Sequence, residues 1–169
     1  MQIRASSFQG AKPPCPLDPT HRVHAHGSYQ RFADFATAAT LMVFRFLCAR
    51  CGFTLSVLPA NRLPYRRLTT PQIETDFDAR AADLPPPAAT ELETAALTRA
   101  WQALARHRAL LSNLLGQLLP AALTTPAALW QHLRRWGSLA DILHRLATPF
   151  HTSLCGHYRC LQPPTAVVS

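Results

Sequence analysis

Cys48-x-x-Cys51-Gly52 is the segment of this chain best suited to chemistry. Two thiolates three residues apart, on a turn closed by glycine, grip one Zn²⁺ while backbone amides satisfy the sulfurs. A tetrahedral structural site needs two more ligands. Cys15, followed by Pro16, is one of them. A zinc ribbon normally carries a second cysteine three residues further on, and here that position holds Asp18. Three residues are candidates for the fourth ligand. His21 follows the Asp18-Pro19-Thr20 turn and is favoured. Asp18 has the right spacing, but carboxylates are less usual in structural zinc sites. His24 comes third. The alternative is a ribbon without metal, its cysteines serving as small buried hydrophobes.

Other chemistry finds little material. Cys155-x4-Cys160, with His151 and His157 nearby, fits no common metal knuckle and is read as incidental. Phosphoryl transfer on two metals needs an acidic triad on strands. Of nine acids, six lie between Glu74 and Glu93, and only Asp141 follows them. Only six glycines are present and none has phosphate-loop spacing. The expectation is a protein that is not an enzyme and takes no small-molecule substrate.

The order C-P-L-D at 15–18, H-A-H-G-S-Y-Q-R at 24–31, R-F-L-C-A-R-C-G-F-T-L-S-V-L-P at 45–59 and L-P-Y-R at 63–66 resembles the N-terminal zinc-ribbon domain of bacterial transposase-associated proteins. The resemblance covers about Cys15 to Arg67, under half the chain. It implies DNA recognition in or near a mobile element. Matched position by position, Cys15, Cys48 and Cys51 fall on family ligand positions. Asp18 falls on a fourth, with a different residue type.

Val23 to Phe32 reads as a strand, with Val23, Ala25, Gly27 and Tyr29 on one face and His24, His26 and Ser28 on the other. Asp34 to Ala39 is a turn, Thr40 to Leu47 a second strand and Phe53 to Leu58 a third. Thr70-Pro71 starts a short helix to about Ala82, with Thr70 as its cap. Pro85-Pro86-Pro87 is a stiff linker. Thr90 and Glu93 form a capping box, and Leu97, Trp101, Leu104, Leu111, Leu115 and Leu118 make an amphipathic stripe ending before Pro120. Thr125-Pro126 opens another helix, with Leu129, Leu133 and Trp136 inward. Gly137 ends it, and Ser138 with Asp141 caps a last helix carrying Leu139, Ile142, Leu143 and Leu146.

The fold class expected is therefore α+β, a small three-stranded antiparallel zinc-ribbon-like domain followed by an all-α domain. The boundaries expected are a tail over 1–14, the ribbon over 15–70, an acidic helix and linker over 71–89, helices over 90–149 and a tail over 150–169.

Charge is distributed in blocks. Residues 1–70 hold nine Lys or Arg against two Asp, residues 71–93 one Arg against six acids, and residues 94–169 seven Arg against one Asp. The sequence pI is near 10.1, a footprint compatible with a polyanionic partner. Arg31, Arg45, Arg50, Arg62, Arg66 and Arg67 lie on or next to the ribbon with Arg22, and guanidinium groups fork onto phosphates. Tyr65 adds a stacking group. DNA is the expected partner. Arg99, Arg106, Arg108, Arg134 and Arg135 are assigned to outer helix faces. A protein-interaction module, with the leucine-rich helices binding a partner or forming a homodimer, is the alternative. No apolar run approaches the ~20 residues that span a bilayer, and the start lacks an apolar signal core. The location expected is cytoplasmic, where thiols stay reduced and paired cysteines point to metal.

Overall fold

The computed structural model describes residues 10–59, 61–64, 66–116, 125–150 and 152–154. They form three strands and four helices in the order expected of the α+β class. The chain divides into two compact units, with the break at Ala60/Asn61.

The first unit is an antiparallel sheet in the order β1-β2-β3, with β1 at Val23–Phe32, β2 at Thr40–Cys48 and β3 at Thr54–Val57. Its first connection closes because the Asp34 carboxylate accepts from the Ala36 and Thr37 amides at 3.0 and 2.7 Å. This is the local hydrogen bonding that makes Asp a turn residue. Between the pairs Ala25↔Phe46 and Ser28↔Phe44 the register slips by one, so His26 and Gly27 together oppose Arg45. Gly27 stands at φ 107°, a conformation glycine adopts without Cβ strain.

This bulge corrects the facial assignment expected of β1. Residues opposite one another share a face. Val23 and Ala25 therefore lie with Ser28, whereas His24 lies with Tyr29 and Arg31. The two-residue period is interrupted once, and every side chain beyond the bulge changes sides.

The second unit contains α1 (Thr70–Ala81), α2 (Glu91–Leu115), α3 (Pro126–Arg134) and α4 (Leu139–Ala147). Helix α1 contacts each of the other three. It belongs to the helical body and is not a connector ahead of it. Its cap is Thr69, one residue earlier than expected. Thr69 and Gln72 exchange side-chain and backbone bonds in a capping box, and that reciprocal pair prevails over the proline signal at Pro71. The boxes expected at Thr90/Glu93 and Ser138/Asp141 are both present.

Helix α2 buries Ala96, Leu97, Ala100, Ala103, Leu104, Leu111 and Leu115 at three- and four-residue steps. Phe77 of α1 lies edge-on to Trp101 at 5.0 Å and to Trp130 at 5.1 Å. Each such pair adds roughly 0.5–1.5 kcal/mol beyond area burial. On α3, Leu129, Trp130 and Leu133 are buried while Trp136 is half-exposed. Trp130 thus takes the inward place expected of Trp136, because α3 ends at Arg134 and Trp136 lies past its last helical turn.

The acids of α1 explain a second difference. Arg134, expected on an outer face, is bound to Asp78 at 3.0 and 3.1 Å and to Glu74 at 2.9 Å. Asp78 also accepts from the Trp130 indole at 2.7 Å, and Glu74 accepts from the Leu139 amide at 2.8 Å. Glu74 and Asp78 are four residues apart and so share one helix face, which here meets α3 and the start of α4. Leu118 and the expected helix end at Pro120 lie outside the described residues. So do His151, Cys155, His157 and Cys160.

Candidate metal centre

The register brings the metal-ligating residues together. Pairing of Val23 with Cys48 sets the chain entering β1 beside the turn leaving β2. That turn is tight. The Cys48 N–H donates to Phe53 O at 2.9 Å, the Gly52 N–H donates to Cys48 O at 3.0 Å, and Gly52 takes φ 67°. The entering chain folds through a second turn, in which the His21 N–H donates to Asp18 O at 3.0 Å.

Cys15, His21, Cys48 and Cys51 result as one cluster, their ligand atoms all within 4.8 Å of one another. Cys15 Sγ lies 3.4 Å from Cys51 Sγ and 3.7 Å from His21 Nδ1. Tetrahedral zinc, with bonds of about 2.3 Å to sulfur and 2.0–2.1 Å to nitrogen, separates its ligand atoms by about 3.5–3.8 Å. The 3.7 Å nitrogen–sulfur separation lies in that range and the 3.4 Å sulfur–sulfur separation a little below it, so the cluster could hold one metal ion. The three cysteines are not bridged, and 3.4 Å is far beyond the ~2.05 Å of a disulfide. Cys15 and Cys48 are 2% and 0% exposed, while His21 and Cys51 are half-buried. Structural zinc sites use four protein donors, whereas catalytic ones use three.

Electrostatics favour a thiolate at Cys48 and oppose one at Cys51. The Cys51 backbone N–H, followed by other donors of the turn, draws the Cys48 thiol down to about 6. Its hydrogen bond with Cys48 pushes the Cys51 thiol up to about 11. Three neighbouring sulfurs without a cation resist carrying three negative charges, and a divalent ion removes that resistance.

Of the three candidates for the fourth ligand, the structure selects His21. His24 is exposed on β1 and pairs with Leu47, outside the cluster. Asp18 also stands outside it and instead touches His21, its Oδ2 3.2 Å from Nε2.

The arginines expected to meet nucleic acid fall into two groups. Arg31 and Arg45 sit on one sheet face, since Arg31 pairs with Leu41, and Leu41 and Arg45 are four residues apart on β2. Arg50 is exposed in the cysteine turn. Arg62, Arg66 and Arg67 belong instead to the helical unit, in a loop closed by the Arg62↔Thr69 bridge and the Thr70 N–H to Asn61 O bond of 2.9 Å. The Arg62 guanidinium donates to Arg67 O at 3.1 Å. Tyr65 lies outside the described residues. Tyr29, 42% exposed, shares the face of Arg31 and Arg45 and was not among the expected contacts. Its i, i+2 spacing from Arg31 was the available signal. Compared with known protein families, curated proteins and solved structures, the chain matches none.

Proposed function

We propose that this chain is a non-enzymatic DNA-binding protein whose sheet is built around one structural Zn²⁺. The reading extends to a mobile-element, transposase-associated role, which rests on the sequence resemblance alone. The observation that carries DNA binding is the sheet face bearing Tyr29, Arg31 and Arg45 with His24 beside them. Arginine forks onto phosphate and tyrosine stacks on or abuts sugar and base. The two acids of the described sheet unit are both engaged locally, Asp18 with Thr20 and His21, and Asp34 with its own turn. The ion supplies rigidity where the chain entering β1 meets the turn after β2. It takes no part in a reaction.

The test is binding of the zinc-loaded protein to random-sequence duplex DNA over a range of salt. Affinity falls linearly in log–log form, with about 0.9 counterions released per phosphate contact. Arg45→Ala lowers that slope by about one. Absence of binding at 50 mM salt, or binding indifferent to salt, contradicts the reading.

A second reading draws on Leu92 and Leu110, 61% and 48% exposed on α2. Eighteen residues apart, they share a helix azimuth and support self-association of the helical unit. They are also ~27 Å apart along the axis, and scattered apolar residues are ordinary on protein surfaces. A mass that rises with concentration, together with indifference to DNA, would favour this reading over the first.

A further inference from the structure

We propose that Asp18, standing where a ribbon of four cysteines would place a ligand, is the positioning residue that turns His21 into one. The inference rests on the metal reading of the cluster.

The geometry divides the two oxygens of the Asp18 carboxylate between two tasks. Oδ1 accepts from the Thr20 N–H at 2.9 Å and from the Thr20 hydroxyl at 2.7 Å. These bonds close the turn. Oδ2 is left for the imidazole and lies 3.2 Å from Nε2. The same turn is fixed from the other side by the His21 N–H to Asp18 O bond of 3.0 Å. The ring is thereby clamped with its opposite nitrogen, Nδ1, 3.7 Å from the Cys15 sulfur.

The chemistry follows from the tautomer. A neutral imidazole has one N–H and one lone pair, and only the lone pair binds metal. A carboxylate is an acceptor only, so it holds the proton on Nε2 and leaves the Nδ1 lone pair facing the sulfurs. It also raises the basicity of that lone pair. The departure from four cysteines is thus compensated by two residues acting together. His21 supplies the donor atom, and Asp18 fixes its orientation and protonation.

Asp18→Asn is the incisive variant. Its side-chain oxygen still accepts from Thr20, so the turn is kept. Those two bonds hold the oxygen on the Thr20 side and turn the –NH₂ toward Nε2. A donor there favours the proton on Nδ1, the tautomer that cannot ligate. The proposal predicts a loss of zinc affinity of about 10- to 100-fold, measured by competition with a chromophoric chelator on the full chain. It also predicts that wild-type His21 is coordinated through Nδ1 with a protonated Nε2 in ¹⁵N–¹H spectra, and that this signature is lost in the variant. His21→Cys supplies the control. With a fourth thiolate no tautomer needs fixing, so adding Asp18→Asn to His21→Cys leaves affinity unchanged within about twofold. This pair also decides the matter if Asp18→Asn alone fails to fold.

Equal zinc affinity in wild type and Asp18→Asn overturns the proposal, as does an equal loss in both backgrounds, which would make Asp18 a turn residue only. Coordination through Nε2, or metal binding that survives His21→Ala with an oxygen ligand in the cobalt(II) spectrum, overturns it too. A wild-type chain that binds no zinc overturns the metal reading itself, and is told apart because no variant comparison is then needed.

Discussion

The sheet unit withdraws few side chains from water. Its buried apolar residues among those described are Cys15, Ala33, Val43, Phe46 and Cys48, and two of these five are candidate ligands. The helical unit buries Ile73, Phe77, Leu97, Leu104, Leu111, Leu129, Trp130, Leu133, Ile142 and Leu146, among others. Fully burying one such side chain contributes roughly 1.5–3 kcal/mol, so the helices have an apolar core and the sheet scarcely does. Sheets this small need an added staple such as a metal. On the metal reading proposed above, Cys15, His21, Cys48 and Cys51 with their ion substitute for a core. In the helical unit, by contrast, polar groups such as Asp78, Glu74 and Arg134 tie together elements that hydrophobic burial already holds.

Substitutions that strike one unit and spare the other sharpen this contrast. The largest effect belongs to Cys48→Ser. Structural zinc binding contributes about 10–16 kcal/mol in small metal-dependent folds, and loss of one thiolate forfeits much of it. The expected result is no bound zinc and an unfolded sheet. All three tryptophans, Trp101, Trp130 and Trp136, lie in the helical unit, so their fluorescence should be unchanged. Next in size is Phe77→Ala, which removes the ring between Trp101 and Trp130. It should destabilise the helical unit by about 3–5 kcal/mol in a denaturation monitored by tryptophan, with zinc content intact.

Acid separates the units without mutation. Protons compete with zinc for thiolates and imidazole, so the sheet loses its ion as pH falls below neutrality. The helical unit responds later. Hydrogen bonds from Ser138 hold the Asp141 carboxyl below its ordinary value. The stabilisation from that cap is complete above the unfolded carboxylate pKa near 3.9 and is lost as pH falls through the lower folded value. Parallel titrations of zinc release and tryptophan fluorescence should therefore show two separate acid transitions, zinc first. The smallest effect is Thr90→Ala, which removes the α2 cap at a cost of about 1 kcal/mol, read as a shift in the helical transition only.

Local signals were the legible ones. The Cys48-x-x-Cys51-Gly52 turn, the choice of His21, the three strands and two of the capping boxes follow from spacing within a few residues. What escaped depends on long-range contacts or on competing local signals. The bulge at Gly27 reverses faces by one inserted residue, and no periodicity count around a single glycine announces it. Thr69 prevails over Thr70 because Gln72 completes a reciprocal box with it. Glu74 and Asp78 fall in the segment expected as an acidic helix and linker. Their partners Arg134, Trp130 and Leu139 lie more than fifty residues away in sequence. The spacing of Asp18 suggests a ligand, whereas its link to the His21 ring nitrogen remote from Cys15 exists only once the turn has closed.

The most direct test of the metal-for-core substitution is the amide NMR spectrum of the zinc-loaded chain before and after a strong chelator removes the ion. Resonances of Val23–Phe32, Thr40–Cys48 and Thr54–Val57 should collapse toward unfolded positions while those of the four helices stay put. A sheet whose resonances remain dispersed and protected without zinc would contradict it.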